Sequence, residues 1–292
     1  MNDAKKLPLL HDTPQESMLT YAVLLGQQQR KNDPYALGSQ IVDLTLRGGF
    51  SIHESAYNDP DLQLQPLSDV AIFEEETVLT EILRRNCPPD KEGRLRLSTV
   101  LASKPFLNDM QILWKRVVMM HHADHNKDRP LYDTDPTRLM KWQRFRRTLG
   151  WTLAIGAVYA EPGLQGRLGG LDQVQKGYAD QELIGNTAAG NRLCRAVLNL
   201  RRHMLQRAES GPVDPKNTAD YERALPYAFL FDDILAVKWP VFLSQHYTHY
   251  PAWFTPAQAV EDVTGRQQHI AATLRIIGSP CFPARKRRAH PV

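Results

Sequence analysis

Apolar residues return at helical spacing through most of the chain and alternate in only a few short stretches. The pattern therefore predicts a helix-rich protein with little sheet. Thr13-Pro14-Gln15-Glu16 has the form of a capping box, with Thr13 as N-cap, opening a helix whose apolar face is Met18, Tyr21, Ala22, Leu24 and Leu25. After the Asn32-Asp33-Pro34 turn, Leu37, Ile41, Leu44 and Thr45 mark a second helix, stopped by Gly48-Gly49. Phe50, Ile52 and Glu54 then alternate as a strand, and Leu62, Leu64 and Pro66 supply its partner across Asn58-Asp59-Pro60. Helix, turn, helix, hairpin is the order of a winged helix.

The same order is expected to start again downstream. Glu74 to Arg85 places acids in the first turn of a helix and arginines in the last, which suits the macrodipole. Leu95-Arg96-Leu97 reads as a short strand and Ser98 as the cap of a short helix. Pro105 to Met120 forms a longer helix with Phe106, Ile112, Leu113, Val117 and Met120 on one side. Beyond a turn-rich loop, Pro136 to Thr148 reads as a helix and Gly163 to Gly170 as a joint. Thr187 to Glu209 is a long amphipathic helix with Leu193, Val197, Leu200 and Leu205 inward, and Asp220 to Leu243 is helical around Pro226 and Pro240. The expected fold is α+β and predominantly helical, with tandem winged-helix-like units (1–128), a linking region (129–186), a helical C-terminal domain (187–276) and a basic disordered tail (277–292).

Charge narrows the function. The 36 Lys+Arg and 32 Asp+Glu leave a net +4, which Arg285, Lys286, Arg287 and Arg288 in the tail account for, so the body is near neutral. A dedicated nucleic-acid binder carries a basic stripe on its body. The candidate recognition helix, Ala36 to Arg47, has one base opposed by Asp43. The candidate wing carries Glu54, Asp59 and Asp61, which repel phosphate. The three cysteines, Cys87, Cys194 and Cys281, form no CxxC pair, so no disulfide framework is expected. The N-terminus lacks the apolar run of a secretory signal. The longest apolar run, Leu149 to Ala160, falls short of the roughly 20 residues of a spanning helix. A cytoplasmic protein with no transmembrane segment is expected.

Two segments carry a family likeness. Tyr35 to Ile52 (YALGSQIVDLTLRGGFSI) resembles the opening of the cytoplasmic region of YciQ-like predicted membrane proteins. The ordered series Thr187-Ala188-Ala189-Gly190, Leu200-Arg201-Arg202-His203, Ala208-Glu209 and Tyr221 to Ala228 is similar to that family's C-terminal succession, with Trp239 and Tyr250 to Phe254 following in order. The chain departs from the family between these segments, where further membrane spans are usual. The resemblance implies the architecture of the cytoplasmic region and assigns no activity.

Candidate chemistry is sparse. His121 and His125 stand at i,i+4 with His122 between them, a spacing that holds a metal if the helix continues; the alternative is a polar helix end. His246 and His249, flanked by Tyr247, Tyr250 and Trp253, suit an amphipathic surface or a packed aromatic cluster. Adjacent Asp232 and Asp233 diverge on a helix. No phosphate-binding glycine loop or nucleophile elbow is present, so no catalytic residue, cofactor or metal is assigned. Arg138, Lys141, Arg144, Arg146 and Arg147, interleaved with Trp142 and Phe145, form a candidate basic contact surface. The reading is a non-enzymatic protein-interaction or adaptor module, a component of a larger bacterial assembly whose partner is another protein. The alternatives are a winged-helix DNA-binding regulator and a peripheral protein on an anionic membrane.

Overall fold

The computed structural model describes residues 16–25, 34–56, 59–64, 70–96, 103–124, 126–133, 186–209, 218–231 and 234–278. It is a predominantly helical α+β fold. The described helices are α1 (Met18–Leu24), α2 (Pro34–Leu46), α3 (Glu74–Asn86), α4 (Lys104–Met120), α5 (Ala188–Glu209), α6 (Thr218–Leu230), α7 (Ile234–Ser244) and α8 (Val263–Gly278). The strands β1 (Phe50–Ala56), β2 (Asp59–Leu64), β3 (Arg94–Arg96) and β4 (Phe254–Thr255) make one sheet in the order β3-β2-β1-β4. The hairpin pairs antiparallel with Phe50 opposite Leu64 and Ile52 opposite Leu62, as the alternation predicts. β3 joins the other side of β2 antiparallel, and β4 runs parallel to β1. β3, the strand expected in a second winged unit, is thus an edge of the same sheet as the β1–β2 hairpin.

Local sequence explains most element boundaries. Ser17 caps α1, accepting from the Thr20 N–H, so the helix starts later than the Thr13 box would place it; Thr13 itself lies outside the described residues. At the end of α2 the Gly49 N–H reaches back to Leu44 O, and Gly48 takes φ 86°, a left-handed turn that glycine makes without strain. Pro226 and Pro240 sit inside α6 and α7. α6 ends at Leu230 and α7 begins at Ile234, so neither helix ends at its proline.

α2 is the axis of the molecule. Every side chain described from Ala36 to Thr45 is buried, with α6 and α8 packed on it and α1 alongside. Its polar residues are satisfied internally: Ser39 Oγ donates to Pro226 O at 2.6 Å, and Gln40 Nε2 donates to Glu76 Oε1 at 3.0 Å. One contiguous apolar cluster runs from Met18 to Ile277, joining the N-terminal and C-terminal regions around this helix. The approach of α8 is close enough to require glycine. A Cβ on Gly38 would stand 2.6 Å from the Ile277 carbonyl oxygen and nearer still to that of Gly278. Backbone cannot yield as a flexible side chain does. Gly38→Val is therefore expected to lower the unfolding free energy by about 1–3 kcal/mol, read by urea denaturation.

Candidate functional site

The chemistry-bearing side chains collect in three buried polar centres. The first joins the sheet to the C-terminal helix. Alternation along β1 turns Phe50, Ile52 and Glu54 inward, so a carboxylate occupies a core position. α8 delivers His269, and both side chains are fully buried, with His269 Nε2 2.8 Å from Glu54 Oε2. Thr273 Oγ1 donates to Glu54 Oε1 at 2.9 Å, and the Ala257 N–H reaches Oε2 at 3.4 Å. The other ring nitrogen of His269 lies 3.0 Å from the Tyr250 hydroxyl, which accepts from the Val260 N–H at 3.1 Å. Arg266 lies over the Tyr250 ring, 5.7 Å from its centroid, and donates to the carbonyls of Thr248, Val260 and Glu261. The hydroxyl–imidazole–carboxylate order is that of a proton relay. Here both Glu54 oxygens, both imidazole nitrogens and the phenol are engaged within the fold. What the arrangement does is tie the 250–260 segment, β1 and α8 together.

The second centre lies between α2 and α3. Arg47 Nη2 bonds Asp43 Oδ2 and Glu76 Oε1, each at 2.5 Å, while its Nη1 donates to Val70 O at 2.7 Å. Glu76 also receives the Ile72 and Phe73 N–H groups, so it caps the start of α3. One guanidinium thus serves two carboxylates. Burial outweighs the Arg47 attraction at Asp43 and pushes its carboxyl up to about 6, with Glu76 adding repulsion.

The third centre sits where α1, α3 and α4 meet. Glu75 Oε1 accepts from Ser17 Oγ at 2.5 Å and from Thr20 Oγ1 at 3.0 Å. Thr20 Oγ1 is 3.2 Å from His121 Nε2. Burial lowers the His121 pKa, against the pull of Glu75, and raises that of Glu16, whose carboxylate meets Arg129 at 3.2 Å. The Tyr132 hydroxyl is buried without a hydrogen-bond partner among the described residues. Cys194 lies close by, its thiol pushed up to about 12 by burial although Asn186 donates to it. A thiol so protonated is a poor nucleophile.

The residues singled out from sequence are dispersed. α4 ends at Met120 and His121 caps it at φ −108°, ψ 2°, so the histidines lose the shared helical face that a metal pair at i,i+4 requires. His121 points to Thr20, the His122 ring accepts from the Asp124 N–H, and His125 is outside the described residues. His246 packs on aromatic rings, but on Tyr221 and Phe242, each 5.5 Å from its ring centroid, rather than on its sequence neighbours, and His249 is exposed. Glu54, expected on an acidic wing, is the buried partner of His269, and Asp43 is the ion-pair partner of Arg47. Arg138, Lys141, Arg144, Arg146, Arg147, Asp232, Asp233 and the tail from 279 onward lie outside the described residues.

Two surface features were not foreseen. Ile112, placed on the apolar side of its helix by spacing, is 64% exposed, with Met119 one turn-pair further along at 52%. On α7, Ile234, Val237 and Val241 follow each other at i, i+3 and i+7 and are 50%, 49% and 40% exposed. The opposite face of α7 is fully in the core through Leu235, Trp239 and Leu243, with Trp239 Nε1 donating to Tyr221 O. No described helix is long and apolar enough to cross a membrane. No protein-family model, curated protein or solved structure matches the chain.

Proposed function

We propose that the protein is a non-enzymatic interaction or adaptor module that docks a protein partner along α7. The observation that carries the reading is the outward stripe of Ile234, Val237 and Val241 on a helix whose inward face is already buried. An exposed helix face normally turns polar. A run of β-branched residues kept in water marks a surface with a partner. Lys238 flanks the stripe and reaches Glu209 at 3.5 Å, leaving the apolar row edged by charge as interfaces commonly are. The order helix, helix, hairpin at the N-terminus supports a winged-helix-like scaffold, and the likeness to the cytoplasmic region of YciQ-like proteins belongs to the same proposal.

The burial of α2 weighs against its use as a DNA recognition helix. A helix read into a major groove needs a solvent face, and the described side chains of α2 from 36 to 45 are all in the core. Changing Ile234 and Val241 to Asp should leave stability within about 0.5 kcal/mol, since neither side chain packs in the core. The same change should weaken capture of the native partner by tenfold or more, as for central anchors of an interface. Equal capture by the variant would remove α7 as the docking face.

A further inference from the structure

α4 carries apolar residues on both of its faces. The inner face, Phe106, Met110, Leu113 and Val117, is buried. On the outer face Pro105, Ile112 and Met119 recur every seven residues and stand in solvent, Ile112 64% and Met119 52% exposed. At 3.6 residues per turn the three fall within an arc of about 40° and run for about 21 Å. Lys104 and Lys115 border this ridge on one side, with Asn108 between, and Arg116 borders it on the other; all four are exposed. Arg116 is shared with Glu74 of α3. Lys104 and Lys115 have no ion pair or hydrogen bond among the described residues. The outer arc contains no acidic side chain. Asp109, at its margin, is half-buried and engaged by Arg85 and Asn86 at 3.2 and 2.8 Å.

We infer that this face of α4 is a contact surface for an anionic lipid bilayer, a binding activity separate from the protein docking assigned to α7. The pattern is that of a helix lying in a membrane interface. An apolar centre enters the boundary between headgroups and acyl chains, and the lysines beside it lay down apolar stems while their ammonium groups stay at the lipid anions. Charge identifies the occupant: two unpaired cations beside the ridge, with no acid in the arc, complement an anionic leaflet. Shape favours lipid over an acidic protein. Ile112, the most exposed large apolar side chain among the described residues, crowns a convex helix. A bilayer yields around such a crest, whereas a protein must offer a concavity matched to it. Two inserted side chains and two lysines make a weak, reversible contact and not an anchor.

The full-length chain is sedimented with vesicles of phosphatidylserine and phosphatidylcholine in equal parts, and with vesicles of phosphatidylcholine alone. Binding is expected to the anionic vesicles only, and it should fall as salt is raised. Lys104→Glu with Lys115→Glu should weaken it about tenfold or more, since each lysine near an anionic surface contributes about fivefold. Ile112→Asp with Met119→Asp should also weaken it about tenfold or more, although no cation is removed. If either variant melts early, Lys104→Gln with Lys115→Gln, or Ile112→Ser with Met119→Ser, takes its place with a loss of about threefold or more. A folded variant of either kind that binds as tightly as the wild type overturns the inference, because the attraction then belongs to the basic tail or another surface. Absence of wild-type binding to the anionic vesicles overturns it as well. Polyglutamate that displaces the chain from the vesicles at matched charge does the same, since the face then suits an acidic protein.

Discussion

Replacing Arg47 with Met is expected to lower the unfolding free energy by about 3–5 kcal/mol at pH 8, because it strands two buried carboxylates that share one cation. Asp43 and Glu76 both depend on the Arg47 guanidinium. The loss should depend on pH in a definite sense. Asp43 is raised from 3.8 to about 6 in the folded chain. Its contribution to stability is therefore fully present below pH 3.8 and is lost as pH rises through about 6. Removing Arg47 takes away the main influence that holds this carboxyl down, so the deficit of the variant should be widest above pH 7 and narrow towards pH 5. Asp43→Asn is the contrast. It removes the cost of ionising the buried acid while Arg47 keeps Glu76, so its effect at pH 8 should stay below about 1 kcal/mol. Urea denaturation of the three proteins at pH 5 and pH 8 reads both effects. A loss for Arg47→Met that is equal at the two pH values would show that lost packing, and not stranded charge, is the cause.

His269→Leu should cost a similar amount, about 3–5 kcal/mol, by leaving the buried Glu54 side chain with only Thr273 and the Ala257 amide for partners. Paired replacement, Glu54→Leu with His269→Leu, should cost clearly less than the sum of the single changes, with a coupling of about 1–3 kcal/mol. The local consequence separates a clamp from a mere buried pair. Tyr250 is held by His269 and in turn holds the Val260 amide. In His269→Leu the amide of Val260 should exchange faster with solvent, and proteolysis should open the 251–262 segment before the helices around α2. Additive losses without any change in exchange at Val260 would contradict the clamp.

These centres show where sequence reading stops. The two strands of the hairpin are legible because period-two alternation is local, although β2 already begins at Asp59 inside the expected turn, and the ends of α2 and α3 are legible because Gly48-Gly49 and the first-turn glutamates are local too. The partners of polar core residues are not. Glu54 sits at an inward position of β1, a pattern that calls for a distant partner, but nothing nearby identifies His269 as that partner. Gln40 and Asp43 make α2 look like a half-exposed helix until Glu76, Arg47 and Pro226 are brought to it. The same limit hides from the sequence that Glu54, expected on an acidic wing, lies in the core, as do the side chains of α2 from 36 to 45. Ile112 failed for the reverse reason: spacing groups apolar residues on one face but does not say how wide the buried arc is. The α7 stripe could have been suspected, since that helix carries Lys238 as its only charge, a composition that leaves no polar face to turn outward.

The docking role of α7 is tested most directly by a photo-cross-linking side chain placed at Val237 in the full-length protein and activated in its native cell. A discrete adduct with a single heterologous protein is expected, lost when Ile234 and Val241 are changed to Asp and absent when the cross-linker is placed instead at the exposed Arg84 on α3. No adduct at Val237, or one that persists when the stripe is charged, would contradict it.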